Sequence, residues 1–565
     1  VPVEMVGEPQ VTLQEFDGIM GQVKVRYTVA ITESDNTRTL VDTEDNFTMK
    51  WNEKRIYMMN YERNANEMFT GKREAFSGKR IILGITNDNM VKTVKSPKSR
   101  YLAFKTGGDL WCYDQTDNEL VRIFTFDSSK DDGIRSRYDR HDVKILSVQE
   151  DGTVDFLVYG YMNRGKYEGH MGVIYYSYDA EKDTVNEKFY LAASESFEKI
   201  REDISTLSYL SQNSMMYLML EGSVYGIDLK SNEFLVVAQG LTKGSFAVSG
   251  DGSRIAWQDG ASLYESEKVH VMDFNTAQKQ EITGSEGDYV RVLGFVGNDL
   301  IYGFSNSGDK WIVNGRMKGM PMYAMYIVDN EMQVESEYRK DGIYISDVVA
   351  EDGRIHLKRL VRISENQYMY QDQDTIVCNQ KVDDGELKGI GYFASQDRGR
   401  VYYVQTDSDL NGDKVNISAP RAFSYEFAST LDISFAATAQ ADTGMVFHAY
   451  GGGHYLGCSR SFGTAVNMAY GQMGFVTDSN QHIVWDRINR GPIRNIKSPV
   501  EEARKMTKYL DSFDGSRMYE EGLILIDAGG CSFMTLRPRK PPRWGLMTPR
   551  NILKRFRMIF CVPLL

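Results

Sequence analysis

The chain has 565 residues, 42% of them hydrophobic and 12% aromatic, and a formal net charge of −12. That length exceeds one ordinary core, so a large domain plus a smaller one is expected. The acidic balance argues against a nucleic-acid partner, because phosphate binding needs clustered Lys and Arg.

In chain order, residues 11–34 alternate apolar and polar (Val23, Val25, Tyr27, Val29, Ile31), which predicts a hairpin. Residues 1–79 are read as N-terminal strands that contribute to closing the repeat domain. From 80 to 418 a strand–turn–strand pattern recurs, each instance ending on aspartate. Tyr101-Leu102-Ala103-Phe104 leads to Asp114, and Arg254-Ile255-Ala256-Trp257 leads to Asp273. Weaker copies end at Asp179, Asp228 and Asp329, with intervals of 65, 49, 45 and 56 residues along the series. Such a period fits a repeated antiparallel sheet. Turn signals, among them Glu150-Asp151-Gly152, Asp251-Gly252 and Asp352-Gly353, separate the strands. So many antiparallel strands must dispose of their edges, and radial closure does so. The expected fold is mainly β, a β-propeller of about six to eight blades. Each closing Asp should accept hydrogen bonds from the turn after its strand.

Near Ala419 the pattern changes. Phe462, Ala465, Val466, Ala469 and Met473 recur at helical spacing after the Gly451-Gly452-Gly453 segment, read as a strand-to-helix turn. A hairpin of Phe475-Val476-Thr477 and Ile483-Val484-Trp485 comes next. Ser498-Pro499-Val500-Glu501 opens a capped helix, and Leu523-Ile524-Leu525-Ile526 is a buried strand. Residues 419–536 are therefore a small α+β domain. Residues 537–565 hold eight Lys or Arg, no acid and five of the twelve Pro, leaving 58 bases against 78 acids before them. This irregular basic tail is read as an out-of-frame end, a basic tail for an anionic surface, or a folded continuation.

Chemistry is sparser. Cys112, Cys378, Cys458, Cys531 and Cys561 show no CxxC and no paired spacing, so no disulfide framework or zinc site is indicated. His448, His454 and His482 lack the spacing of a helical metal site. Asp407-Ser408-Asp409-Leu410-Asn411-Gly412-Asp413 resembles the opening of a calcium loop, with Asp407, Asp409, Asn411 and Asp413 as candidate ligands. It lacks the twelfth-position Glu, and the favoured reading is a plain Asn-Gly hairpin turn between the strands Val401-Tyr402-Tyr403-Val404 and Val415-Asn416-Ile417. No cofactor other than calcium is suggested. Tyr450-Gly451-Gly452-Gly453-His454 resembles the oxyanion segment of prolyl oligopeptidases, yet Gly457-Cys458-Ser459-Arg460-Ser461 lacks the second Gly of a nucleophile elbow.

A wider resemblance rests on Tyr450-Gly451-Gly452-Gly453, on the segment from Asn480 to Arg490, and on Ile526-Asp527-Ala528-Gly529-Gly530-Cys531-Ser532. Together they resemble uncharacterised surface proteins of gut clostridia, with TolB-like or dipeptidyl-peptidase-like propellers. The resemblance implies a C39-type, papain-like peptidase domain in which Cys531 would begin a buried helix as nucleophile, with a His further along. The sequence departs from that pattern directly after Cys531, and no His follows His482.

The expected function is a non-catalytic binding or scaffold protein for a peptide, glycan or protein ligand at the outer face of a bacterial envelope. The alternative is a C39-like cysteine peptidase, incomplete in this chain, whose propeller gates substrate. No run of about 18 apolar residues exists to span a membrane. An extracytoplasmic location with an N-terminal anchor ahead of Val1 is the expectation.

Overall fold

The computed structural model describes residues 3–16, 19–32, 38–52, 55–86, 91–126, 138–231, 233–260, 262–351, 353–378, 389–396, 398–423, 431–433, 444–452, 454–479, 482–487, 524–528 and 531–535. The chain divides into two compact units, Val1–Ala192 with Leu387–Leu565, and Ala193–Glu386. The fold is mainly β, with two α-helices among the described residues, Phe197–Thr206 and Phe462–Tyr470.

The first unit opens with a four-stranded antiparallel meander, Val3–Phe16, Met20–Thr32, Arg38–Trp51 and Ile56–Glu67. The predicted hairpin is its first half. Two blades come after it. Blade A comprises Lys92–Lys95, Tyr101–Thr106, Asp109–Asp114 and Glu119–Phe124. Blade B comprises His141–Val148, Val154–Tyr161, Met171–Asp179 and Thr184–Ala192. Tyr101–Thr106 and Val154–Tyr161 are buried at every position, because both faces of a central blade strand are covered. The two blades pack through Phe124, Phe156 and Tyr176, with ring centroids 5.5–6.0 Å apart. Each such ring contributes about 1.5–3 kcal/mol of hydrophobic stabilisation.

The second unit holds four more blades in chain order. Blade C is Ser208–Leu210, Met215–Leu220, Ser223–Asp228 and Phe234–Ala238. Blade D is Phe246–Val248, Arg254–Gln258, Lys268–Asp273 and Lys279–Thr283. Blade E uses Asp288–Val296, Asp299–Asn306, Met322–Val328 and Val334–Tyr338. Blade F uses Ile343–Glu351 and Arg354–Ser364, the latter paired with both Gln367–Tyr370 and Asp374–Val377. Tyr217 of blade C stacks on Phe274 beside blade D at 4.2 Å, and shared cores join D to E and E to F.

The recurrent aspartates occupy one place in five blades, ending the third strand in A to D and directly following it in E. Asp114 accepts from the Thr116 and Asp117 amides, Asp179 from Lys182, and Asp228 from Lys230 and Ser231. Asp273 accepts from Asn275 and Thr276, and Asp329 from Glu331 and Gln333. Each carboxylate thus satisfies amides that the turn to the fourth strand leaves open.

Back in the first unit, Ile390–Ser395 and Gly399–Asn411 form one sheet with Phe76–Gly84, more than 300 residues earlier in the chain. This closure sheet packs on blade A through Ile81, Leu83 and Val404 against Leu102, Phe104 and Trp111. Antiparallel meanders that follow one another along the chain and pack on their neighbours within each unit, with a strand from before them and strands from after them in one sheet, are the construction of a β-propeller.

The chain then runs along blade edges. Asn416–Ser418 pairs parallel with Glu119–Val121, and residues 422–423 and 431–433 pair parallel with the last strand of blade B. The expected hairpin between residues 401–404 and 415–417 is therefore not formed. Asn416–Ser418 instead adds to the edge of blade A.

A small sheet comes next, in the order His454–Ser459, Phe447–Gly451, Phe475–Thr477, Ile483–Asp486, carrying the helix Phe462–Tyr470. Helix and hairpin stand where the periodicity predicts them. The three-glycine segment, however, joins two strands rather than a strand and a helix, since His454–Ser459 intervenes. Ser461 caps the helix by accepting from the Thr464 amide. The predicted helix after Ser498 and the tail 537–565 lie outside the described residues.

Candidate functional site

The closure sheet is irregular, and its irregularity makes a cleft. Between Gln405↔Arg80 and Leu410↔Gly78, four residues of one strand oppose only Lys79 on the other. A bulge of that size bends its strand and re-aims side chains. The extra residues turn toward blade A, where the Asp407 amide donates to Gln115 Oε1 at 3.1 Å and Lys95 Nζ meets the Asp407 carboxylate at 2.7 Å. Gly78 sits opposite at φ 56°, a left-handed conformation that glycine adopts without strain.

Beside the bulge lies a cleft of about 580 Å³, lined by Ser77, Lys79, Arg80, Ile82, Phe393 and Gln405, with Gly78 at its edge. The Arg80 guanidinium lies 4.6 Å over the Tyr403 ring, and Tyr403 stacks on Phe393 at 6.2 Å. Lys79 and Arg80 are both exposed, and no carboxylate among the described residues pairs with either. The cleft offers two cations, a hydroxyl, an amide and the Phe393 ring. Its volume falls within the range of about 300–1,000 Å³ usual for ligand sites.

A second cleft, of about 230 Å³, lies between blades A and B and is lined by Tyr101, Asp114, Asp117, Glu119, Tyr178 and Glu181 among others. Several of its carboxylates already serve the fold. Burial works against the ionised Asp114, but Arg100 and the Asp117 and Thr116 amides hold its carboxyl below the usual range. Glu119 accepts from Asn416 and Ser418 of the added strand.

The structure places the candidate calcium ligands on the bulge and the turn after it. Asp407 and Asp409 belong to the bulge, Asn411 pairs with Ser77 in the sheet, and Asp413 lies in the short 3₁₀ turn Gly412–Lys414. The Lys95 hydrogen bond lowers the Asp407 carboxyl from its ordinary value. Extended backbone at Leu410 and Asn411 lies between Asp409 and the short turn that holds Asp413. No three His, Cys, Asp or Glu side chains among the described residues come together to hold a metal.

Cys531 opens the strand Cys531–Thr535, hairpinned against Ile524–Ala528, where the peptidase resemblance implies the first residue of a helix. Its side chain lies outside the described residues. His448 stands within the strand Phe447–Gly451, His454 begins the next, and His482 turns back on Asp478 at 3.4 Å. Sequence reasoning misses Lys79, Arg80 and Phe393. The signal available is Gly78 with two cations directly after it inside a strand.

No family model and no curated protein matches the chain. Among solved structures it is similar to the β-propeller domain of the Trilobed protease from Pyrococcus furiosus, at 14% identity and TM-score 0.22 over 66% of this chain and 99% of that one. It is similar to Pyrococcus horikoshii acylaminoacyl peptidase at 12% identity and TM-score 0.24, over 65% of this chain and 52% of that one. It is similar to Porphyromonas gingivalis dipeptidyl peptidase 4 at 9% identity and TM-score 0.22, over 56% and 59%. The chain thus spans little more than half the length of either peptidase. At these TM-scores none of them carries an argument about this chain, whose fold assignment rests on its own strand order.

Proposed function

We propose that the protein is a non-catalytic binding or scaffold protein that takes an anionic peptide or acidic glycan at the outer face of a bacterial envelope. The cationic cleft of the closure sheet carries this reading. In a chain of net charge −12, exposed Lys79 and Arg80 in one concavity make a local field opposite to the global one. Arg recognises carboxylates with a planar fork while lying on an aromatic ring, which suits a ligand with an acid group and an apolar or sugar face. The envelope location is supported by the resemblance of the C-terminal segments to clostridial surface proteins.

Calorimetry with an oligo-glutamate peptide and an oligogalacturonate, each against a neutral counterpart, tests the ligand class. Acidic probes should bind, and Lys79→Ala/Arg80→Ala should weaken them by about tenfold or more, since tenfold is only ~1.4 kcal/mol. Equal binding of neutral probes, or unaltered binding by the double variant, would overturn the reading. Protease accessibility on intact cells tests the location, and a fully protected chain would sink it.

A further inference from the structure

The small C-terminal sheet presents an open face. Phe447 and Ala449 are buried on the helix side, where Phe447 meets Phe462 at 5.3 Å, while His448 and Tyr450 alternate to the other face. His448 is directly opposite Cys458 on the neighbouring strand. Opposed residues share a face, with Cβ atoms roughly 4.5–5.5 Å apart.

Tyr455 precedes Cys458 by three residues, so in a regular strand it would point to the helix side. A bulge changes this. The register passes from Ala449↔Gly457 to Tyr450↔Tyr455, leaving Leu456 unopposed, and Gly457 takes φ 142°. Tyr455 is thereby rephased onto the His448 face. Its hydroxyl lies 3.2 Å from His448 Nδ1. Cys458 is exposed, and Tyr455 is 49% exposed.

We propose that His448, Cys458 and Tyr455 form a binding site for a thiophilic divalent cation of the zinc type. Imidazole nitrogen and cysteine sulfur are the principal ligands, and the tyrosine oxygen is the third. In a tetrahedral centre with bonds of about 2.0–2.3 Å, neighbouring donor atoms lie roughly 3.3–3.6 Å apart. The 3.2 Å between Nδ1 and the hydroxyl is close to that spacing before any ion is present. Sulfur and nitrogen donors select zinc-type ions over calcium or magnesium. Metal binding releases the thiol proton to solvent, and the open face leaves a fourth position for water or a ligand atom. The bulge is essential, because without Tyr455 only two donors would face one another.

Cobalt titration of the full chain under reducing conditions tests the site. Co²⁺ should produce thiolate-to-cobalt charge-transfer absorption at one equivalent, displaced by Zn²⁺. Cys458→Ser should abolish the band, and His448→Ala should weaken binding by about tenfold or more. In the unaltered chain, Zn²⁺ should slow alkylation of Cys458 by iodoacetamide, a readout that needs no variant. Absence of the band, its survival in Cys458→Ser, unchanged affinity in His448→Ala, or alkylation of Cys458 indifferent to Zn²⁺ would each overturn the proposal.

Discussion

Blades A to E and the closure sheet both complete antiparallel sheets, but with information drawn from very different distances along the chain. In a blade, Asp273 accepts from amides two and three residues away, and its strands are joined by short turns. In the closure sheet, Phe76–Gly84 finds Gly399–Asn411 across more than 300 residues and tolerates a four-residue bulge in doing so. Local turns repeat because each can form alone, whereas the distant pairing forms once and need not be regular. That freedom is where the cleft arises. Loop-closure entropy grows only slowly with separation, so a sheet joining distant segments is stable if its core is good.

The largest expected effect breaks the closure. Ile81 is fully buried against blade A, and Ile81→Ala should cost about 2–5 kcal/mol by removing side-chain volume from a packed core. Urea unfolding would read it as a lower midpoint, and a loss below that of a turn variant would mean the closure is not the weak point.

Next comes the blade turn. Asp273→Ala removes an acceptor of three hydrogen bonds, from the Asn275 and Thr276 amides and the Thr276 hydroxyl. By analogy with helix caps the cost is about 0.5–2 kcal/mol, and Asp273→Asn, which keeps the acceptor oxygen, should recover most of it. Equal losses in both variants would show that charge, not hydrogen bonding, holds the turn.

Acid sharpens the contrast further. Asp179 is held below the ordinary carboxylate value by Lys182, and Asp228 by the Lys230 and Ser231 amides. Groups depressed in the folded state add stability that is present above the unfolded value of 3.8 and is lost as pH falls through the folded one. Stability should therefore decline below about pH 4. A double Asp179→Asn/Asp228→Asn variant should show a shallower decline in melting temperature, and an unchanged slope would remove these turns as the cause.

The smallest effect concerns the bulge. The Lys95–Asp407 pair is partly exposed, so Lys95→Ala should cost only about 0–1 kcal/mol. It should nonetheless weaken acidic-probe binding if the bulge shapes the cleft, a change visible by calorimetry.

The blades are legible in the sequence because alternation and turn chemistry act over a few residues. Tyr101-Leu102-Ala103-Phe104 and Asp114 mark a strand and its turn within a few residues of one another. The candidate calcium segment reads as a hairpin in sequence because nothing local to Asn411-Gly412 reports that blade A has a free edge for residues 416–418. The three glycines likewise give no sign of the strand His454–Ser459, whose place depends on the neighbouring Phe447–Gly451.

By itself the sequence determined the strand units, their closing aspartates, the helix after Ser461 and the absence of a long apolar run, all consequences of period and composition. Only the tertiary structure decided which distant strands pair. It alone laid Arg80 over Tyr403, brought Lys79 to the same cleft and turned Tyr455 toward His448. The physical reason is that a strand's outward edge carries no address. Backbone donors and acceptors are the same at every residue, so the partner is chosen by the core behind it and the bulges that core will accept.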